Sequence, residues 1–273
     1  MEINPLTKIA FIGAGNIATT MIAGLLRSGM PANHIWASNP TTTKLEQLAA
    51  RFAIHVGTDN VQIARQADMV VLAVKPGKLA EVCRQLAPIL AQRQSLVISV
   101  AAGIPLASIE AWLAGPSPIV RAMPNTASEL AQGVTILCAN QQVSEQQRQQ
   151  IARLAQGMGI AHWVEQESTL DKLTAVSGSG PAYFFLVMEA LEQAATGLGI
   201  EPAVSRRLIA QTALGAALMV QRDQQDPRLL RQQVTSPGGT TEAAINKLQA
   251  GRLIDLFQAA LAAAAQRAQG IGS

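Results

Sequence analysis

The 273-residue chain is poor in the side chains most often used for proton transfer and for stacking on bases. Aromatic residues make up 3%, with a single tyrosine, Tyr183, and there are only three histidines, His34, His55 and His162. Stacking platforms need aromatic faces, so a single-strand nucleic-acid binder is poorly served by this composition. A catalyst built on a His dyad is equally poorly served. Charged residues are only 14% against 49% hydrophobic, which excludes a disordered polyelectrolyte. The net charge of +3 is weak evidence for a polyanionic partner. Arg222, Arg228 and Arg231 form a local basic grouping, but Asp223 and Asp226 interrupt it, as on a solvated surface. Cys83 and Cys138 have no CxxC partner and read as buried free thiols of a reducing compartment. No metal-ligand spacing is present. The longest apolar window, Leu208 to Val220, contains Gln211 and falls short of the roughly 20 residues that span a bilayer. The opening MEINPLTKIAFIG has no basic stretch followed by a long apolar one, so no signal peptide is expected. The expectation is a soluble, cytoplasmic protein with neither membrane nor nucleic acid as partner.

What is present is an alternation of short Val- and Ile-rich segments with helical patterns. Strands are expected at Lys8–Ile12, His34–Ser38, Ile54–Val56, Met69–Val74, Leu96–Val100, Ile119–Ala122, Val134–Cys138 and Ala161–Val164. Helical patterns such as Lys44–Phe52, Lys78–Leu90 and Glu145–Met158 lie between them. Such alternation predicts βαβ units around a largely parallel sheet. The DMVVLAV strand is apolar on both faces, as expected of a strand covered by helices on both sides. After Val164 only helical runs follow, several Ala-rich: 169–176, 182–198, 203–222, 227–234, 242–248 and 252–268. The fold class is therefore α/β, a Rossmann-like dinucleotide-binding domain over residues 1–164 followed by an all-helical domain over 165–273.

The first strand runs into Gly13-Ala14-Gly15-Asn16-Ile17-Ala18 and then an amphipathic helix, a G-x-G-x-x-A turn. Gly13 serves the tight turn, and Gly15 lets the backbone approach a pyrophosphate. Ala18 permits close helix–strand packing, and the helix N-terminus offers N–H groups with Asn16 and Ile17 in the first turn. An NAD site usually places an acid about 20 residues on. Here the second strand ends Ala37-Ser38-Asn39-Pro40-Thr41-Thr42-Thr43-Lys44, with hydroxyls, an amide and a lysine able to donate to a 2′-phosphate. NADP(H) is preferred on this ground. No arginine clamp is present; read instead as a polar surface turn, the segment would let NAD(H) serve about equally well, so NAD(H) stays possible. Further strand ends, Ala73-Val74-Lys75-Pro76 and Val100-Ala101-Ala102-Gly103, lie where ligands bind in open α/β sheets. Lys75 is placed to neutralise a phosphate or a carboxylate. Small residues from Ala101 onward leave room for a nicotinamide ring, and Asn60 is a candidate for the adenosine half.

Two glycine clusters mark the helical half: Ser177-Gly178-Ser179-Gly180-Pro181 and Thr235-Ser236-Pro237-Gly238-Gly239-Thr240-Thr241. Each precedes a helix and so is expected to present backbone N–H groups and hydroxyls, a cradle for a carboxylate or simply a pair of N-caps. Two enzyme classes are excluded. Tyr183 is followed four places on by Val187, not by the lysine of short-chain reductases. Gly180 is followed at that distance by Phe184, not by the lysine of β-hydroxyacid dehydrogenases.

GAGNIA, AVKP (Ala73–Pro76), SVAAGI (Ser99–Ile104), RAMPNT (Arg121–Thr126), SGSGPAY (Ser177–Tyr183) and VTSPGGTTEAAINKLQAG (Val234–Gly251) occur in this order. Together they resemble pyrroline-5-carboxylate reductases over essentially the whole chain. Ala127 departs from the proline that commonly follows MPNT. The resemblance implies reduction of 1-pyrroline-5-carboxylate to L-proline with NAD(P)H. It implies that Val234, Ser236, Gly239, Thr240 and Thr241 hold the substrate, with backbone N–H groups on the carboxylate and the Thr241 hydroxyl on the ring nitrogen. It also implies homodimers through the helical domains, assembled further into rings of dimers, with sites shared between subunits. A reductase of a related cyclic imino acid and a catalytically silent NADP-binding regulator are the alternatives.

Overall fold

The computed structural model describes residues 7–270. Met1–Leu6, part of the opening read above for a signal peptide, lie outside the described residues. Eight strands, β1 (Ile9–Ile12), β2 (Ile35–Ser38), β3 (His55–Gly57), β4 (Met69–Leu72), β5 (Leu96–Ser99), β6 (Ile119–Met123), β7 (Gly133–Ala139) and β8 (Gly159–Trp163), form one sheet in the order β3-β2-β1-β4-β5-β6-β7-β8. All neighbours pair parallel except β6 with β7, which run antiparallel with Arg121 opposite Cys138. Each of the eight strands expected from sequence forms, with ends displaced by a few residues.

The helices follow the same alternation: α1 (Asn16–Arg27), α2 (Thr42–Phe52), α3 (Asn60–Ala64), α4 (Pro76–Arg93), α5 (Leu106–Leu113), α6 (Glu145–Gln156) and α7 (Glu167–Ser177). Local chemistry sets several starts. Asp59 caps α3 by accepting from the Val61 and Gln62 N–H groups, and Ser144 with Gln147 closes a capping box on α6. Pro76 opens α4, where its missing N–H costs nothing. The short α3 and α5 have no counterpart among the helical patterns expected from sequence.

Alternation along each strand sends successive side chains to opposite faces. Ile9 and Phe11 pack with Met21, Ile22 and Leu25 of α1, Leu45 and Leu48 of α2 and Ile151 of α6. Ala10 and Ile12 join Leu79 and Leu86 of α4, Ile109 of α5 and Leu170 of α7 on the other face. Each fully buried aliphatic or aromatic side chain there contributes about 1.5–3 kcal/mol, so both faces are firmly covered.

Two compact units result. One runs to Pro181 and takes up the chain again from Ala264; the other is Ala182–Ala263. The second holds α8 (Gly180–Gly197) from Ala182 on, α9 (Pro202–Asp223), α10 (Pro227–Gln233), α11 (Thr240–Ala250) and the part of α12 (Leu253–Gly270) up to Ala263. Among the described residues no helix is long and apolar enough to cross a membrane.

Candidate active site

β1 lies between β2 and β4, all parallel, so the ends of β1, β2, β4 and β5 open along one edge of the sheet. At that edge the chain turns at Gly13 with φ +107°. A Cβ on Gly13 would lie 2.5 Å from the Ala73 carbonyl oxygen, so both conformation and space demand glycine. The Gly13 N–H donates to the Ser38 carbonyl (2.8 Å), and the Ala14 N–H donates to Asn39 Oδ1 (3.3 Å). Asn39 Nδ2 in turn donates to the Thr41 carbonyl (3.2 Å).

Gly15 is the N-cap of α1, extended at φ −85° and ψ −179°, with no side-chain cap and no acid in the first turn. A Cβ there would meet nothing within 4 Å. Open space thus faces the first N–H groups of α1, beside exposed Asn16 and half-buried Ile17. That is the arrangement a pyrophosphate requires: unclaimed donors, the positive end of a helix dipole and no Cβ in the way. Ala18 is 0% exposed, so α1 sits close on the sheet.

The other expected cofactor residues divide into free and committed groups. Ser38 is 0% exposed, and its hydroxyl donates to Asn60 Oδ1 (2.7 Å) while Asn60 Nδ2 donates to Gln85 Oε1 (3.0 Å). These two side chains brace one another beside the end of β2. The exposed donors there are Thr41, Thr42, Thr43 and Lys44 around the uncapped start of α2. At the end of β4, Ala73, Val74 and Pro76 are half-buried, and Lys75, the N-cap of α4, is exposed. Beyond β5, Ala101 is buried, and half-buried Gly103 turns the chain at φ +73°.

The two glycine clusters differ. In the first, the Gly178 and Ser179 N–H groups donate to the Thr174 carbonyl (2.8 and 3.1 Å), so they close the C-terminus of α7 and are not free for a ligand. This differs from the expectation that each cluster presents free backbone N–H groups: at Gly178 and Ser179 they are taken by α7. In the second, the Gly239 N–H donates to the Ser236 carbonyl (3.0 Å) and the Gly238 N–H to Glu242 Oε2 (2.8 Å). Gly239 then caps α11 without a side-chain cap bond, and Thr240 and Thr241 open its first turn, both exposed, as are Val234 and Ser236. Thr235 ties the loop back through its hydroxyl to the Arg231 carbonyl (2.6 Å).

Comparison with known proteins decides the family. Residues 167–271 match the family model for pyrroline-5-carboxylate reductase dimerisation, and residues 8–103 match the model for the coenzyme F420-dependent NADP oxidoreductases. A pyrroline-5-carboxylate reductase of Pseudomonas aeruginosa is 50% identical over 260 residues, covering 95% of each chain. The chain belongs to the pyrroline-5-carboxylate reductase family. The solved structure of a pyrroline-5-carboxylate reductase from Coxiella burnetii superposes with a TM-score of 0.90 at 44% identity, over 98% of this chain and 99% of that one. That of the Plasmodium falciparum pyrroline carboxylate reductase, with NADP bound, gives 0.89 at 27% identity over 98% and 99%.

Within this family framework one feature escaped the sequence reading. Arg121, in the RAMPNT segment, is 2% exposed and donates through Nη1 to Glu167 (2.6 Å) and through Nη2 to Asp171 (2.9 Å). The available signal was an arginine inside an otherwise apolar strand, IVRAM; its partners stand 46 and 50 residues away, beyond any local motif. Burial first, then the neighbouring Glu167 carboxylate, push the Cys138 thiol above its ordinary range. Among the described residues no group of three or more His, Cys, Asp or Glu is placed to hold a metal ion.

Proposed function

We propose that this protein reduces 1-pyrroline-5-carboxylate to L-proline, with NADP(H) preferred over NAD(H). Bound NAD(P)H supplies the hydride. Gly13, Gly15, Asn16 and Ile17 would carry its pyrophosphate, and Asn39 sets the turn. Ser38 and Asn60 support the adenosine half from below, with Thr41–Lys44 beside the 2′ position. Ala73–Pro76 would flank the middle of the cofactor, and Ala101 would leave room for the nicotinamide.

An imine protonated on nitrogen is already electrophilic at its ring carbon, so the protein needs no strong acid. Its tasks are positioning and electrostatics. The first-turn N–H groups of α11 at Thr240 and Thr241, with the Ser236 hydroxyl, would hold the carboxylate. Val234 and Gly239 shape that loop, and the Thr241 hydroxyl would orient the ring nitrogen. The observation that carries this reading is the pair of uncapped helix starts, α1 behind Gly15 and α11 behind Gly239. We assign residues 165–273 to substrate binding and dimerisation. Phe184, Phe185, Leu186 and Leu191 on α8, with Leu208, Leu214 and Leu218 on α9, are exposed and suit the face of a second copy. Rings of such dimers and a cytoplasmic location complete the proposal.

The test is oxidation run backwards, with L-proline and NADP+ or NAD+ compared at high pH by nicotinamide absorbance. Turnover is expected, faster with NADP+. No turnover with either cofactor would sink the reading.

A further inference from the structure

The buried Arg121 does more than fill β6. Glu167 Oε1, which takes its Nη1 bond, also accepts the Leu106 N–H (2.9 Å). Leu106 is the first residue of α5, whose N-cap Pro105 offers no side-chain cap. One carboxylate oxygen therefore fastens the downstream end of the Val100–Pro105 segment to the first turn of α7. Asp171, one turn further along α7, takes the other arm of the guanidinium. At the far end of α7 the Ser177 carbonyl accepts from Asn125 Nδ2 (3.0 Å), and Asn125 Oδ1 accepts the Val134 N–H (3.3 Å). The helix is held at its first turn, at its middle and at its last residue, each time to β6 or the loop that follows it.

Stability alone does not account for this cluster. Arg121 Nε is buried with no acceptor, so a donor has been left unmatched. Replacing a buried ion cluster by apolar side chains of similar volume is often neutral or stabilising. What a guanidinium supplies and an apolar side chain does not is a rigid fork. Gripping two carboxylates at i and i+4, it sets both the rotation of α7 and its position along β6.

We infer that Arg121, Glu167 and Asp171 are positioning residues for hydride transfer: they fix the Ala101–Pro105 wall against α7 and so hold the nicotinamide at its reacting distance. The inference rests on the proposed reductase reading and on Ala101 lying beside the nicotinamide. Misplacement of reacting atoms by about 1 Å costs about a hundredfold in rate. Removing the Glu167 carboxylate should therefore act on kcat, not on cofactor affinity.

The experiment compares the wild-type protein with Glu167→Ala, Glu167→Gln and Arg121→Met. It measures kcat and KM in the reductive direction, the isotope effect with nicotinamide-deuterated NADPH, NADPH affinity by fluorescence, and Tm. For Glu167→Ala, kcat should fall about 10–100-fold, with KM and NADPH affinity within about threefold and an enlarged isotope effect. Glu167→Gln keeps an acceptor for the Leu106 N–H and should recover part of the loss, which also covers the case in which Arg121→Met fails to fold. A fall in kcat that merely tracks loss of folded protein, with an unchanged isotope effect, would overturn the inference. So would wild-type kcat in Glu167→Ala. Absence of turnover by the wild-type protein would instead remove the reductase reading itself.

Discussion

Two glycines two positions apart should respond to the same substitution in opposite ways. Gly13→Ala forces a side chain into φ +107° and places its Cβ 2.5 Å from the Ala73 oxygen and 2.8 Å from the Ala73 carbonyl carbon. The backbone strain costs about 1–3 kcal/mol. Overpacking against main chain, which cannot swing aside like a flexible side chain, adds about 1–3 kcal/mol. The sum, about 2–6 kcal/mol, is a large share of the roughly 5–15 kcal/mol that keeps a domain folded. Gly15→Ala starts from φ −85° and open space, so no strain arises. A slightly poorer N-cap is offset by about 0.4–1 kcal/mol of lost unfolded-state entropy, leaving stability within about 1 kcal/mol. The new methyl, however, would occupy the space through which a pyrophosphate is proposed to meet the α1 N–H groups. Urea unfolding should show a lowered midpoint for Gly13→Ala and an unchanged one for Gly15→Ala. Fluorescence titration should show NADPH affinity reduced at least about tenfold, roughly 1.4 kcal/mol, in Gly15→Ala. Tight NADPH binding by Gly15→Ala, or an unaltered midpoint in Gly13→Ala, would refute the reasoning.

Thr241→Ala should lower kcat/KM about 10–100-fold, equivalent to roughly 1.4–2.7 kcal/mol, in steady-state assays with Tm unchanged; an unaltered value removes the hydroxyl from the mechanism. Burial pushes the Cys83 thiol up to about 11, against the smaller, opposing pull of the Arg84 charge. The unfolded thiol ionises near 9.0 while the folded one stays protonated, so this group's contribution is complete below pH 9 and is lost as pH rises towards 11. Denaturation midpoints measured across that window should fall, more steeply than in Cys83→Ala. Thiol-reagent labelling at pH 8 should reach Cys83 only after unfolding, since a buried, protonated thiol is a poor nucleophile.

Much of the fold is legible locally because burial on both faces of a parallel strand leaves a plain trace. DMVVLAV and KIAFIG are continuous apolar runs ended by turn residues, and Gly13 and Ala18 are dictated by contacts that the motif itself describes. The short α3 and α5 were not legible. Five and eight residues carry too little periodicity, and both are set by tertiary bonds or caps, such as Glu167 reaching the Leu106 N–H. The glycine clusters look alike as strings, yet Gly178 and Ser179 turn back on Thr174, whereas Thr240 and Thr241 open a new helix without a side-chain cap.

The scarcity of histidine and tyrosine already limited the chemistry to a reaction that needs little acid or base from the protein. Periodicity and the G-x-G-x-x-A turn determined a dinucleotide-binding sheet, because strand and helix periods and the space beneath a glycine are properties of a few adjacent residues. Tertiary structure alone decided which donors stay free. Ser38 and Asn60 satisfy each other, and Arg121 is shared between two acids on α7. Those outcomes depend on atoms brought together from 22 to 50 positions apart, and a buried polar group takes whichever partner the packed fold puts within about 3 Å.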